Sequence, residues 1–104
     1  MSAGRLHDDV RHETERGVLL TILILRELDW MPAHELHRQL VGQGFLVPFE
    51  DMKFHLNYLD QGGYVERKPL RAGRAELELE MVRATRRAVD LMDGRIAPDP
   101  GVQF

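Results

Sequence analysis

Residues 47–68, VPFEDMKFHLNYLDQGGYVERK, decide how this chain is read. Met52, Leu56 and Leu59 recur at helical spacing and give a helix from about 48 to 61 its inward face. Gly62-Gly63 ends that helix, since glycine takes a left-handed backbone without steric cost. From Tyr64 the apolar period changes to two, the period of a strand. The outward positions of the helix are Phe49, Glu50, Lys53, Phe54 and Asn57, a mixture of aromatic, acidic and polar side chains.

Upstream, residues 11–28 follow a helical pattern, with Asp8 or Asp9 as its cap, and residues 1–10 read as a loose polar arm. Val18, Leu19, Leu20, Ile22, Leu23, Ile24, Leu25 and Leu28 go around nearly the whole circumference at about 100° per residue. Such a helix is either wrapped by its own domain or shared with a second copy. A domain this small has little chain to cover both faces. The expectation is therefore a homodimer through a stripe of Leu20 and Ile24 with Gly17 and Thr21 beside it.

In DWMPAHELHRQLVGQG, Asp29 and Trp30 end the first helix and Pro32 suits the first turn of a second. Ala33, Leu36 and Leu40 set its inward face, and Gly42 and Gly44 stop it. Beyond the third helix, YVERKPL leads to a turn at Arg71-Ala72-Gly73-Arg74, and AELELEMV returns. The alternation predicts Leu77, Leu79 and Met81 inward and Glu76, Glu78 and Glu80 outward. Thr85 is placed to cap a last helix, RRAVDLMD, closed by Gly94, and residues 95–104 form an extended Pro- and Gly-rich tail. The order helix, helix, helix, hairpin, helix is the winged helix-turn-helix arrangement: α+β, mostly helical, with a two-stranded wing. One domain is expected over 1–104, with its core over about 11–94.

The stretch HLNYLDQGGYVERK resembles the end of a winged-helix recognition helix entering its wing, through Leu56, Leu59, Gly63, Tyr64 and Val65. Bacterial regulators of the arsenical-resistance-repressor and multiple-antibiotic-resistance-regulator type share that pattern. The long turn GQGFLVPFED and the ending DLMDGRIAPDPGV are similar to small winged-helix proteins of Mu-like prophages. The resemblance implies a fold and, through it, a cytoplasmic DNA-binding regulator of transcription. Its residues are mainly structural, so it speaks to fold more than to function.

Composition narrows the alternatives. The absence of cysteine excludes disulfides, thiolate metal sites and a cysteine nucleophile. The N-terminal residues do not read as a signal peptide. GVLLTILIL is far shorter than the roughly 20 residues that span a bilayer. No Gly-rich phosphate loop or Ser-His-Asp order appears, so neither catalysis nor a cofactor is expected. His34 and His37, three residues apart, and His7 with His12 fall short of the three or four ligands of a zinc site, and no metal is expected.

For DNA, base readout favours Arg or Lys on guanine and Asn or Gln on adenine, which suits Lys53 and Asn57. The wing segment carries Arg67, Lys68, Arg71 and Arg74 against Glu66, a basic tip suited to phosphates. The net charge of −3 and the acids Glu50, Asp51 and Asp60 weigh against strong affinity. Phe49 is expected to pack onto the second helix and Phe54 under the first. Exposure of either ring would favour the alternative, a winged-helix module that binds a protein partner through its third helix.

Overall fold

A computed structural model describes the backbone of residues 3–71 and 78–104, and the side chains of residues 9–69 and 80–104. The elements run α1 (Ala3–Leu25), β1 (Met31–Pro32), α2 (Ala33–Gly42), α3 (Phe49–Gln61), β2 (Val65–Arg71), β3 (Glu78–Ala84) and α4 (Arg86–Met92). The strands form one antiparallel sheet in the order β1-β3-β2. The fold is thus α+β, with helices packed on a small sheet.

Helix α1 starts at Ala3, so the expected loose arm over 1–10 is helical from its third residue. It ends at Leu25, three residues before the expected Leu28. Glu27 and Leu28 then adopt positive φ of 58° and 63°, a left-handed step that costs L-residues roughly 1–2 kcal/mol each. Leu28 packs against the core and helps to hold that step. The chain is thereby turned so that Met31 pairs with Val82 and Pro32 with Met81, which adds a short third strand to the expected two. Asp29 and Trp30 fall between α1 and β1, and Pro32 is the cap preceding α2.

The chain itself wraps α1. Leu19, Leu20 and Leu23 are fully buried, and α1 contacts α2, α3, α4 and β3. Burying so many aliphatic side chains supplies much of the stabilisation, at roughly 1.5–3 kcal/mol for each fully buried Leu or Met. Met31, Leu36, Leu40, Met52, Leu56, Leu59, Val65 and Val82 complete the centre of this core.

Helix α3 stops through paired backbone bonds: the Gly63 amide donates to the Asp60 carbonyl and the Tyr64 amide to that of Leu59. This is a Schellman closure, and Gly63, at φ 79°, is the residue that needs to lack a side chain. The Thr85 hydroxyl donates to the Gly63 carbonyl and accepts no capping bond from an α4 amide, so it fastens α4 to this turn.

Strand β2 pairs with β3 from Val65↔Ala84 through Arg67↔Val82 to Arg71↔Glu78. The buried residues of β3 are Val82 and Ala84, and Glu80 shares their parity. The expected orientation is therefore reversed at its described end: Glu80 turns inward and Met81 lies on the opposite face. Glu80 tolerates this position because Arg67 meets it there. Arg71 closes β2 rather than opening the expected turn at 71–74; residues 72–77, Glu76 and Leu77 among them, and the side chains of Glu78 and Leu79, lie outside the described residues.

The C-terminal residues carry no regular structure but are not detached. Val102 is buried in the core and Ile96 packs against it, so the core extends beyond the expected limit at 94.

Candidate functional site

Helix α3 buries Met52, His55, Leu56 and Leu59 and leaves Glu50, Asp51, Lys53, Phe54, Asn57, Asp60 and Gln61 exposed. Phe49 packs on α2 as expected: its ring stacks on His34 with centroids 4.4 Å apart and meets the edge of His37 at 5.5 Å. Phe54 does not lie under α1. It is 71% exposed, because its position on the helix is opposite the Met52–Leu56–Leu59 face.

Two of the expected DNA contacts are engaged with one another. Arg67, with its side chain 19% exposed, forms a bidentate ion pair with Glu80 and also donates to the Asn57 side-chain oxygen. Its guanidinium lies 3.9 Å from Asp60 as well. Arg67 therefore ties β3, β2 and α3 together, and it occupies the amide oxygen through which Asn57 would accept from a base.

Lys53 and Lys68 remain. Neither has a carboxylate partner among the described residues. Both line a cleft of about 340 Å³ together with His34, Phe49, Arg67, Pro69 and Glu80. The Lys68 ammonium sits 4.3 Å from the centre of the Trp30 ring, and the Arg83 guanidinium lies 4.5 Å from it. Arg83 is itself paired with Glu66 at 2.7 Å. Arg86 and Arg87 are both exposed, and Arg87 donates to the Gly62 carbonyl. The side chain of Arg71 and the whole of Arg74 lie outside the described residues.

The expected dimer stripe is largely covered from within. Leu20 is fully buried in the core. Gly17 lies beneath the tail, where an added methyl would collide with the Gln103 carbonyl. Thr21 and Ile24 are partly exposed, and the Thr21 hydroxyl donates to the Gly17 carbonyl at 2.8 Å.

Sequence reasoning did not find two polar clusters. In one, Asp99 accepts from the Tyr58 hydroxyl at 2.6 Å, the Tyr64 hydroxyl at 2.9 Å and the Gly101 amide at 2.8 Å. Burial works to raise the Asp99 carboxyl, but these three donors outweigh it and hold its pKa below the usual value. The Tyr58 hydroxyl is pushed up, first by its bond to Asp99, and that of Tyr64 first by burial. Arg16 lies 4.2 Å over the Tyr58 ring and donates to the Gly101 carbonyl, while the Gln103 amide donates to that of Glu13. The tail is thereby clamped across α1 and the end of α3. Its only sequence trace is the turn-forming run PDPG, which carries no sign of where it docks.

In the other cluster, His55 and Glu15 are both 3% exposed and meet at 3.1 Å. Burial lowers the His55 pKa, against the opposing bond to Glu15. Its Nδ1 is buried without a partner, so a second ring proton there would have no acceptor. His12 meets the His55 ring edge-on at 5.3 Å.

His34 stacks on Phe49, and His37 Nε2 lies 2.6 Å from the Val47 carbonyl oxygen, whereas the side chain of His7 lies outside the described residues. Among the described residues no three His, Cys, Asp or Glu side chains come together to hold a metal, and no helix is long and apolar enough to cross a membrane. No protein-family model matches this chain, and comparisons with curated proteins and with solved structures likewise find no match.

Proposed function

We propose that this chain is a winged-helix regulator of bacterial or prophage type that binds double-stranded DNA, acting in the cytoplasm. The order α1-β1-α2-α3-β2-β3 supports the fold reading, with β2 and β3 as the wing. One observation carries the functional reading: Lys53 of α3 and Lys68 of β2 are both exposed and lack carboxylate partners among the described residues. In this reading α3 enters the major groove with Lys53 foremost, and Lys68, Arg71 and Arg74 hold the backbone. Arg67 and Asn57 position the wing rather than contact the duplex.

A mobility shift on mixed-sequence duplexes at low salt tests it. Nonspecific binding of such a protein falls at about 10⁻⁴–10⁻⁶ M. Binding in that range, lost in Lys53→Gln with Lys68→Gln and weakened by Arg71→Ala with Arg74→Ala, is the expected result. Absence of binding at ~100 µM sinks the reading.

A second reading, a protein-binding winged-helix module, is favoured by Phe54. That ring stands exposed one helical turn from Glu50 and Asp51, a setting that repels phosphate and suits an apolar partner segment with basic flanks. Phe54→Ser separates the two readings: it leaves DNA affinity within about twofold if Lys53 and Lys68 carry binding, and it abolishes capture of a protein partner if Phe54 does. Homodimerisation is part of the first reading. Of the expected stripe, Thr21 and Ile24 stay partly exposed, with Leu25, 77% exposed, next to Ile24, and sedimentation equilibrium reads self-association directly.

A further inference from the structure

We propose that the groove between α1 and the C-terminal end of α3 is a peptide-binding site, and that the chain's own tail is an internal ligand which a partner segment of the same chemistry displaces. That chemistry is an aspartate two residues ahead of a glycine and three ahead of a β-branched apolar residue, as in Asp99, Gly101 and Val102.

The tail is held as a peptide ligand is held. It has no regular structure, and of residues 97–104 only Val102 is buried. The Asp99 carboxylate accepts from the hydroxyls of Tyr58 and Tyr64, while Val102 is the apolar peg. The backbone supplies the remaining bonds: the Gly101 carbonyl accepts from Arg16 at 3.0 Å, and the Gln103 amide donates to the Glu13 carbonyl at 3.0 Å. Main-chain bonds of this kind give a bound segment its affinity, and pockets for particular side chains give it specificity. Close approach makes the fit selective on both sides. A side chain at position 101 would run into the Tyr58 hydroxyl, and one at position 17 of α1 into the Gln103 carbonyl.

The groove satisfies the tail, but the tail does not satisfy the groove. Arg16 makes no ion pair among the described residues, and its Nε is buried without a partner while the tail is in place. A buried donor left unmade carries a cost, so an occupant that offers Arg16 an acceptor gains over the tail. The tail has the advantage of its tether, which gives it an effective concentration on the order of millimolar. A rival meets only those chains whose tail is open, and its apparent affinity falls by that fraction. The groove is thus autoinhibited: closed to weak ligands, open to a segment that answers Arg16 as well as the two tyrosines. None of this depends on whether the chain binds DNA.

The probe is the unlabelled, N-acetylated peptide of residues 97–104, titrated into the isotope-labelled chain 1–104 and followed by amide NMR. In Asp99→Ala with Val102→Ser, whose own tail is disabled, it is expected to saturate at about 0.1–1 mM, with shifts at Glu13, Arg16, Gly17, Tyr58 and Tyr64. The same peptide carrying Asp99→Asn is expected to bind at least about tenfold more weakly, since it loses a charged acceptor. The chain with its tail intact is expected to need at least about tenfold more peptide. At saturation its own Val102 and Gln103 amides should exchange faster. Should the double variant lose its cooperative melt, Asp99→Asn in the full chain serves as the opened receptor under the same criteria. No saturation by about 10 mM in a folded receptor overturns the proposal. So do equal affinities for the opened and the intact chain, an asparagine peptide that binds as tightly, or shifts centred away from α1 and Tyr58.

Discussion

The Arg67 guanidinium donates to the side-chain oxygen of Asn57 and so joins β2 to α3. Each residue, viewed alone, has the chemistry of a DNA contact. Together with Glu80 and Asp60 they form a strut inside the protein. A donor already shared among two carboxylates and an amide has little left for a phosphate, and the strut fixes how β2 and β3 sit against α3.

Arg67→Met should therefore act on stability. It strands Glu80 on the inward face of β3, and we expect a loss of about 1–3 kcal/mol in urea denaturation. Asn57→Ala should cost less, and a double-mutant cycle should show a coupling of about 0.5–1.5 kcal/mol between them. A loss below about 0.5 kcal/mol for Arg67→Met would mean that the strut is ordinary surface pairing.

Phe54 and Met52 should respond in opposite ways, although two residues separate them by only half a helical turn. Phe54→Ser exposes no new core and is expected to change stability by less than about 0.5 kcal/mol. Met52→Ala empties a fully buried site and should cost about 2–5 kcal/mol. Thermal melts of the two variants give the comparison.

The tail clamp should detach as a unit. Gly17→Ala drives a methyl into the Gln103 carbonyl, and Gly101→Ala drives one into the Tyr58 hydroxyl. Each should raise the amide exchange rates of Val102 and Gln103 while leaving those of Leu56 and Leu59 protected. Tyr58→Phe removes one donor to a carboxylate and should cost about 1–2 kcal/mol with the same local signature. Uniform loss of protection across α3 would show that the tail is not a separable unit.

Acid should weaken the fold in two stages. His55 has a folded pKa below its ordinary 6.5, so the unfolded chain takes up its proton first as pH falls. Its contribution is complete above about pH 6.5 and is lost as pH falls through the lower, folded value. Asp99, also depressed, adds a second loss below about pH 4, again from the side of higher pH downward. Melting temperature against pH should show both, and His55→Gln should flatten the first while Asp99→Asn flattens the second. An unchanged slope between pH 6.5 and 5 in His55→Gln would remove His55 as the cause.

The sequence by itself determined the local elements. The spacing of Met52, Leu56 and Leu59, the Gly63 stop and the switch to period two at Tyr64 place α3 and β2 within a residue of where they lie, because periodicity and chain ends depend on near neighbours. Tertiary structure decided what the polar residues do. Whether Arg67 faces a phosphate or Glu80, and whether Gly17 meets a second copy or Gln103, depends on which distant segment arrives opposite it. The side chain of Glu80 faces inward because it shares the parity of buried Val82 and Ala84, and the cation that makes this tolerable comes from the paired strand. Likewise, β1 exists only because a left-handed step at Glu27 and Leu28 brings Met31 against Val82. The apolar pattern writes the scaffold in local spacing, while charge pairing across 13 residues or more is settled only when the sheet and helices close.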